Sequence, residues 1–174
     1  IRAVDKSEKV DREEYLGLLT DAGLSYDQAD EFATLIERGD LDEIAERADV
    51  CFLGVPHRAA MEYVPGLLER GLRVIDHSAD YRLKDTAVYE KWYDHTHSDP
   101  GNIARAVYGL PEIYASEIAD ADLIANPGCY PTAVILAALP LIAEGLAAPE
   151  FIADAKSGVT GAGKKLTKTT HFPE

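Results

Sequence analysis

Cysteine is scarce in this chain of 174 residues, which carries only Cys51 and Cys129. Two thiols in unrelated contexts provide neither a metal-ligand spacing nor a disulfide framework, so no metal is expected and a reducing, cytoplasmic setting fits. Basic residues are also few, 17 against 31 acidic, for a net charge of −14. That balance argues against a general nucleic-acid binder, which depends on clustered Lys and Arg. The one basic cluster, Lys164, Lys165 and Lys168, leaves room for a local anion pocket. Long apolar runs are missing too. The longest, Ala133 to Ala143, contains Pro140 and is too short to cross a bilayer, so no membrane partner is expected. The first residues are charged and lack an apolar core segment, so no secretory leader is expected from them. No G-x-G-x-x-G dinucleotide fingerprint occurs, and no internal repeat. Because the chain starts at Ile1 rather than Met, we read it as a piece of a longer protein.

What is present is an alternation of elements. The first third is helical and acidic, with helix-starting spacings at Asp11 and Glu14, Ser25 and Gln28, and Asp40 and Glu43. From Asp49 onward the texture changes. Val50 to Val55 reads as a buried strand, His57 to Arg70 as a helix stopped by Gly71, and Leu72 to Asp76 as a second strand. Together these make a βαβ unit, which implies parallel strands. Tyr81 to Gly109 reads as loop-rich and aromatic. A helix over 111–118, a strand over 122–125, a buried helix and a further strand over 151–156 complete the order. The expected class is α/β, with a doubly wound, Rossmann-like parallel sheet.

Ligands of such sheets bind outside the carboxyl ends of the strands. Four polar or glycine-bearing segments fall at those ends. They are Gly54-Val55-Pro56-His57, Asp76 to Arg82, Asn126-Pro127-Gly128-Cys129, and Ser157 to Gly163. The third is the most informative. Cys129 lies between a turn and an apolar helix, with Pro131 near the first helical position, where its missing N–H costs nothing. Free N–H groups and the helix dipole there favour an anion, and thiolate is the nucleophilic form of cysteine. A packed, inert cysteine is the competing reading, as for Cys51 inside its apolar strand.

Gly158 to Lys164 fits G-x-x-x-x-G-K, but Lys165 stands where a P-loop needs Ser or Thr for magnesium. A backbone nest for a phosphate group, or a plain turn, fits better. His95 and His97 read as parts of a solvated loop. His77, beside Asp76, reads equally as a site residue or a cap.

The segments around Cys129, Asp76-His77-Ser78-Ala79-Asp80-Tyr81-Arg82-Leu83, Val107 to Glu112, and Asp154 to Gly163 resemble N-acetyl-gamma-glutamyl-phosphate reductase in order and spacing. The resemblance covers Asp49 to Glu174. It implies an NADP-dependent enzyme of arginine biosynthesis, a homo-oligomer (dimer or tetramer) whose small-molecule substrate is an acyl phosphate. Cys129 would be the nucleophile, Arg82 and Asn126 substrate contacts, and Pro56, His57, Ser78, Ser157, Gly158, Gly161 and Gly163 cofactor contacts. A surface ion pair of Arg82 with Asp80 or Asp85 is the alternative for that side chain. The resemblance also implies an NADP-binding domain over 1–148, incomplete at its start, and the beginning of an α+β catalytic and oligomerisation domain over 149–174. The glycine-rich fingerprint would precede Ile1 and the catalytic histidine would follow Glu174. Aspartate-semialdehyde dehydrogenase, a reductase of carrier-linked aminoadipyl or glutamyl phosphate, and a cysteine hydrolase or acyltransferase stand as alternatives.

Overall fold

A computed structural model describes residues 40–148 and 150–158. They divide into two compact units, one ending at Gly128 and one beginning at Cys129. The first unit holds a parallel four-stranded sheet, built from β1 (Val50–Leu53), β2 (Arg73–Asp76), β3 (Val107–Tyr108) and β4 (Leu123–Ala125), in the order β1-β2-β4-β3. Leu53 pairs with Asp76, Asp76 with Ala125, and Tyr108 with Ala125, so the four strands end in register along one edge. The α/β class and the parallel sheet expected from the alternation are therefore present.

Helix α1 (Leu41–Arg47) starts where the Asp40 spacing predicts, its carboxylate accepting the N–H of Glu43 at 3.2 Å. The two earlier cap signals, at Asp11 and Ser25, lie outside the described residues. Helix α2 (Ala60–Glu69) buries Met61, Val64, Leu67 and Leu68 in the same core as Cys51, Leu53 and Val74. Each large apolar side chain removed from water contributes roughly 1.5–3 kcal/mol. Gly71, at φ +78°, ends α2 with a Schellman pair: its own N–H reaches Leu68 O at 3.0 Å and that of Leu72 reaches Leu67 O at 3.1 Å.

Three expectations about the elements of the first unit are corrected. Helix α2 begins at Ala60 rather than His57, because Arg58 takes a left-handed φ of +79° that no helix accommodates. Within β1, Cys51 and Leu53 are buried but Val50 and Phe52 face the other way and are exposed, as a period of two requires. The segment read as loop-rich contains α3 (Thr86–Tyr93), α4 (Pro100–Ile103) and β3. Its one buried α3 residue, Tyr89, leaves no apolar stripe to read. Helix α5 (Pro111–Asp120) then leads into β4.

In the second unit, α6 (Cys129–Ala143) is an apolar helix of 15 residues, as expected, but none of them is buried among the described residues. The strand expected over 151–156 does not form, since a strand needs a ladder partner and no described residue pairs with this segment. Instead Phe151 to Ala155 and α6 line an apolar groove of about 420 Å³, with Val134, Ala137 and Leu141 on the helix side.

Gly109 closes the first unit against β4. A Cβ there would lie 3.0 Å from Ile124 Cγ2, 3.1 Å from Asn126 Cα and 3.3 Å from Ala125 O. Two of those neighbours are backbone atoms that cannot swing away. Gly109→Ala is expected to lower stability by about 1–3 kcal/mol in denaturant titration, the usual range for overpacking. An unchanged midpoint would contradict this close packing.

Candidate active site

The parallel register brings the turns after β1, β2, β3 and β4 to one edge, where the ladder ends and backbone groups need other partners. His77 N–H reaches back to Leu53 O at 2.9 Å, Asn126 N–H to Asp76 O at 2.8 Å and Gly109 N–H to Ala125 O at 2.9 Å. Side chains supply the remainder. Arg82 donates from Nε to Asn126 O and from Nη2 to His77 O, each at 2.8 Å, so one guanidinium joins the ends of β2 and β4. Neither Asp80 nor Asp85 pairs with it. Nη1 of Arg82 has no partner among the described residues. Asn126, half-buried, directs its amide Nδ2 toward His77 Nδ1 at 3.3 Å. Tyr108 lies close enough for the Arg82 charge to act on its phenol, although burial pushes that group up overall.

Two carboxylates in the second rim segment, which the sequence leaves without a site role, are both wholly buried. Asp76 accepts Ser78 N–H and Ser78 Oγ–H, each at 2.8 Å. Burial pushes its carboxyl up to about 6; the nearby Asp80 adds to this, while the Ser78 bonds and Arg82 oppose it. Asp80 accepts Arg58 N–H at 2.8 Å, Ala60 N–H at 3.1 Å and Tyr89 OH at 2.8 Å. The only advance signal for either was membership of a polar segment after a strand. Ser78 turns inward, 1% exposed, with its hydroxyl committed to Asp76 and to Asp80 N–H. His57 and Pro56 are exposed on the turn after β1, and His57 Nδ1 accepts Ala79 N–H at 3.0 Å.

His97 is buried rather than solvated. Its Nε2 meets Asp80 O at 2.8 Å and its ring packs edge-on against Tyr81 and Tyr89. Tyr81 in turn donates to Asp99 at 2.7 Å. His95 is exposed.

Cys129 is exposed and is the first residue of α6, two positions earlier than Pro131 suggests. Pro131 falls within the first turn, where an amide N–H would have had no helical partner. Cys51 is buried in β1, and burial pushes its thiol up, away from the nucleophilic form. Ser157 and Gly158 are exposed, while Gly161, Gly163, the three clustered lysines and His171 lie outside the described residues.

The Asp76 carboxyl gives the site a pH signature. Its ordinary value is 3.8 and its folded value about 6, so the folded state holds this proton more tightly. Stability linked to Asp76 is therefore fully present below about pH 4 and lost as pH rises through 6, on the order of 3 kcal/mol in all. Asp76→Asn removes that titration. Its stability relative to wild type should rise between about pH 4 and 6 in denaturant titrations, whereas parallel curves would contradict the burial of an ionisable carboxyl here.

Comparison with known proteins follows the same division. A family model for the semialdehyde dehydrogenase NAD-binding domain matches residues 1–121, and one for the semialdehyde dehydrogenase dimerisation domain matches residues 129–174. Among curated relatives, an N-acetyl-gamma-glutamyl-phosphate reductase of Syntrophobacter fumaroxidans is 53% identical over 141 residues, 80% of this chain and 41% of that protein. The protein of the same name from Methanopyrus kandleri is 58% identical over 132 residues, 76% of this chain and 38% of that protein. That from Sulfurimonas denitrificans is 50% identical, covering 81% and 42%. The chain thus spans about two fifths of the length of the curated relatives it matches. With the parallel sheet, the rim at its carboxyl edge and both domain matches in chain order, this chain belongs to the semialdehyde dehydrogenase family.

Proposed function

We propose that the full-length protein reduces N-acetylglutamyl 5-phosphate to N-acetylglutamate 5-semialdehyde with NADPH, as a step of arginine biosynthesis. The observation that carries this reading is the position of Cys129, exposed at the first residue of α6 and three residues beyond Asn126 at the end of β4. The names of the curated relatives support the substrate, and the NAD-binding match supports a nicotinamide cofactor.

The rim suits an anionic dinucleotide. Asp76 and Asp80 are wholly buried with their oxygens taken up by hydrogen bonds, so the groups that the edge presents are an imidazole, a guanidinium and amides. Pro56 and His57 would contact the dinucleotide, together with Ser157, Gly158, Gly161 and Gly163. Ser78 would act from behind them, by holding Asp76. The bound nicotinamide would supply a hydride, and this chain would supply the nucleophile and the phosphate contacts.

Cys129 thiolate attacks the acyl carbon, the carbon–oxygen bond to phosphate breaks, and inorganic phosphate leaves a thioester on sulfur. The start of a helix would favour the negative charge that returns to sulfur when the thioester is reduced. Arg82, anchored by Nε and Nη2, offers Nη1 to the substrate phosphate, and Asn126 offers its amide. Hydride delivery to the thioester carbon then frees the aldehyde and the thiolate. The dimerisation-domain match supports a homo-oligomer, dimer or tetramer.

The test runs the reaction backwards in full-length protein, with N-acetylglutamate semialdehyde, phosphate and NADP⁺. Wild type should reduce NADP⁺ only when phosphate is present. Cys129→Ser should lose at least about 10³-fold in rate, as expected on removing a covalent nucleophile. No reduction by folded wild type would reject this substrate, and equal rates in both proteins would reject Cys129. Arg82→Lys should raise KM for phosphate about tenfold or more, because a point charge cannot keep two carbonyls and a phosphate together. A KM unchanged in Arg82→Lys would remove Arg82 from the substrate site.

A further inference from the structure

Helix α2 has no cap of its own: Ala59 precedes it and makes no side-chain bond. The cap comes instead from Asp80, 20 residues downstream and in the turn after the neighbouring strand. Its Oδ2 takes Ala60 N–H at 3.1 Å while Oδ1 takes Arg58 N–H at 2.8 Å. Asp80 is itself immobilised. Tyr89 OH donates to Oδ1 at 2.8 Å, His97 Nε2 meets its carbonyl at 2.8 Å, and its N–H donates to Ser78 Oγ at 3.1 Å. Arg58 keeps its left-handed φ of +79° under this hold, with its guanidinium on Tyr93 O at 2.5 Å.

His57 sits immediately before that turn and is held at two points. Ala79 N–H occupies Nδ1 at 3.0 Å, and the Tyr93 ring meets the imidazole edge-on at a centroid distance of 5.7 Å. With Nδ1 an acceptor, the neutral ring carries its proton on Nε2. Nε2 has no partner among the described residues, and His57 is exposed. A local Ser, Thr or Asp would cap α2 as well. Supplying the cap from the next strand-end turn does something further, since it ties the turn carrying His57 to the turn carrying Ser78 and Asp80.

We propose that Asp80 is a positioning residue for the nicotinamide dinucleotide: its carboxylate, by holding the Arg58 and Ala60 N–H groups, aims the Nε2–H donor of His57 at an oxygen of the bound cofactor. This rests on the reading of His57 as a cofactor contact. Dinucleotide affinity, not chemistry at Cys129, is what Asp80 sets.

The experiment measures the Kd of NADPH calorimetrically in full-length protein without acyl substrate. Asp80→Asn and His57→Asn, which keeps an acceptor for Ala79 N–H but is too short to place a donor where Nε2 stands, should each weaken binding about tenfold, the worth of one hydrogen bond. The double variant should be no weaker than the weaker single. Tyr89→Phe, which unfastens Asp80 from behind but leaves the turn contacts, should lower stability and move Kd less than about twofold. Additive single effects, or Kd following stability loss in Asp80→Asn and Tyr89→Phe alike, would overturn the proposal in favour of a purely structural role. If Asp80→Asn does not fold, His57 decides. Imidazole ¹⁵N shifts in wild type, assigned by their loss in His57→Asn, should show the Nε2–H tautomer, and the Nδ1–H tautomer or an unchanged Kd in His57→Asn overturns the proposal. Wild type that binds no nicotinamide dinucleotide overturns the cofactor reading itself, and this inference with it.

Discussion

A parallel sheet whose strands stop in register leaves a row of backbone groups at one edge that the ladder no longer satisfies, and the rest of the first unit is arranged around that constraint. Leu53, Asp76, Tyr108 and Ala125 end level with one another. Loop N–H groups, one guanidinium and two buried carboxylates complete the bonding beyond them. An unsatisfied buried polar group costs about 1–3 kcal/mol, so these partners stabilise the edge as well as shape it.

The same chemistry gives the edge its electrostatic character. Carboxylates that serve as acceptors for loop N–H groups are turned inward, and cationic and amide groups remain outside. In an acidic protein with a net charge of −14, this edge carries the guanidinium of Arg82 and the imidazole of His57. Asp76 shows the strain of that arrangement most clearly, since burial holds its proton to about pH 6 even with Ser78 and Arg82 opposing. In the second unit the relevant feature is simpler: α6 begins at the cysteine itself.

Much of this was legible in the sequence, and the remainder was hidden for identifiable reasons. The strands at Val50, Arg73 and Leu123 and the helices at Ala60 and Cys129 are apolar runs bounded by Gly, Pro or Asn, so local signals agree with the fold. The start of α2 was hidden because its cap lies at Asp80, far along the chain. Residues 81–109 carry no continuous apolar stripe, and what orders them is a set of polar contacts among Asp80, Tyr81, Tyr89, His97 and Asp99. The segment over 151–156 alternates like a strand, yet strand formation requires a partner that alternation cannot supply. Of the residues proposed for the site, Cys129, Arg82 and Asn126 carry a signal of type and context in the sequence. Asp76 and Asp80 did not, because residue type alone does not tell an inward carboxylate from a solvated one. Ser78 lies in the second rim segment but faces the interior.

The most direct measurement is acyl transfer to Cys129 in the absence of cofactor. Full-length protein is mixed with N-acetylglutamyl phosphate generated in situ, and phosphate release is followed alongside the mass of the peptide containing Cys129. A thioester mechanism predicts one phosphate per active site and an N-acetylglutamyl adduct on that peptide, removable by hydroxylamine and absent from Cys129→Ser. No phosphate burst, or an adduct on another residue, would contradict covalent catalysis by Cys129.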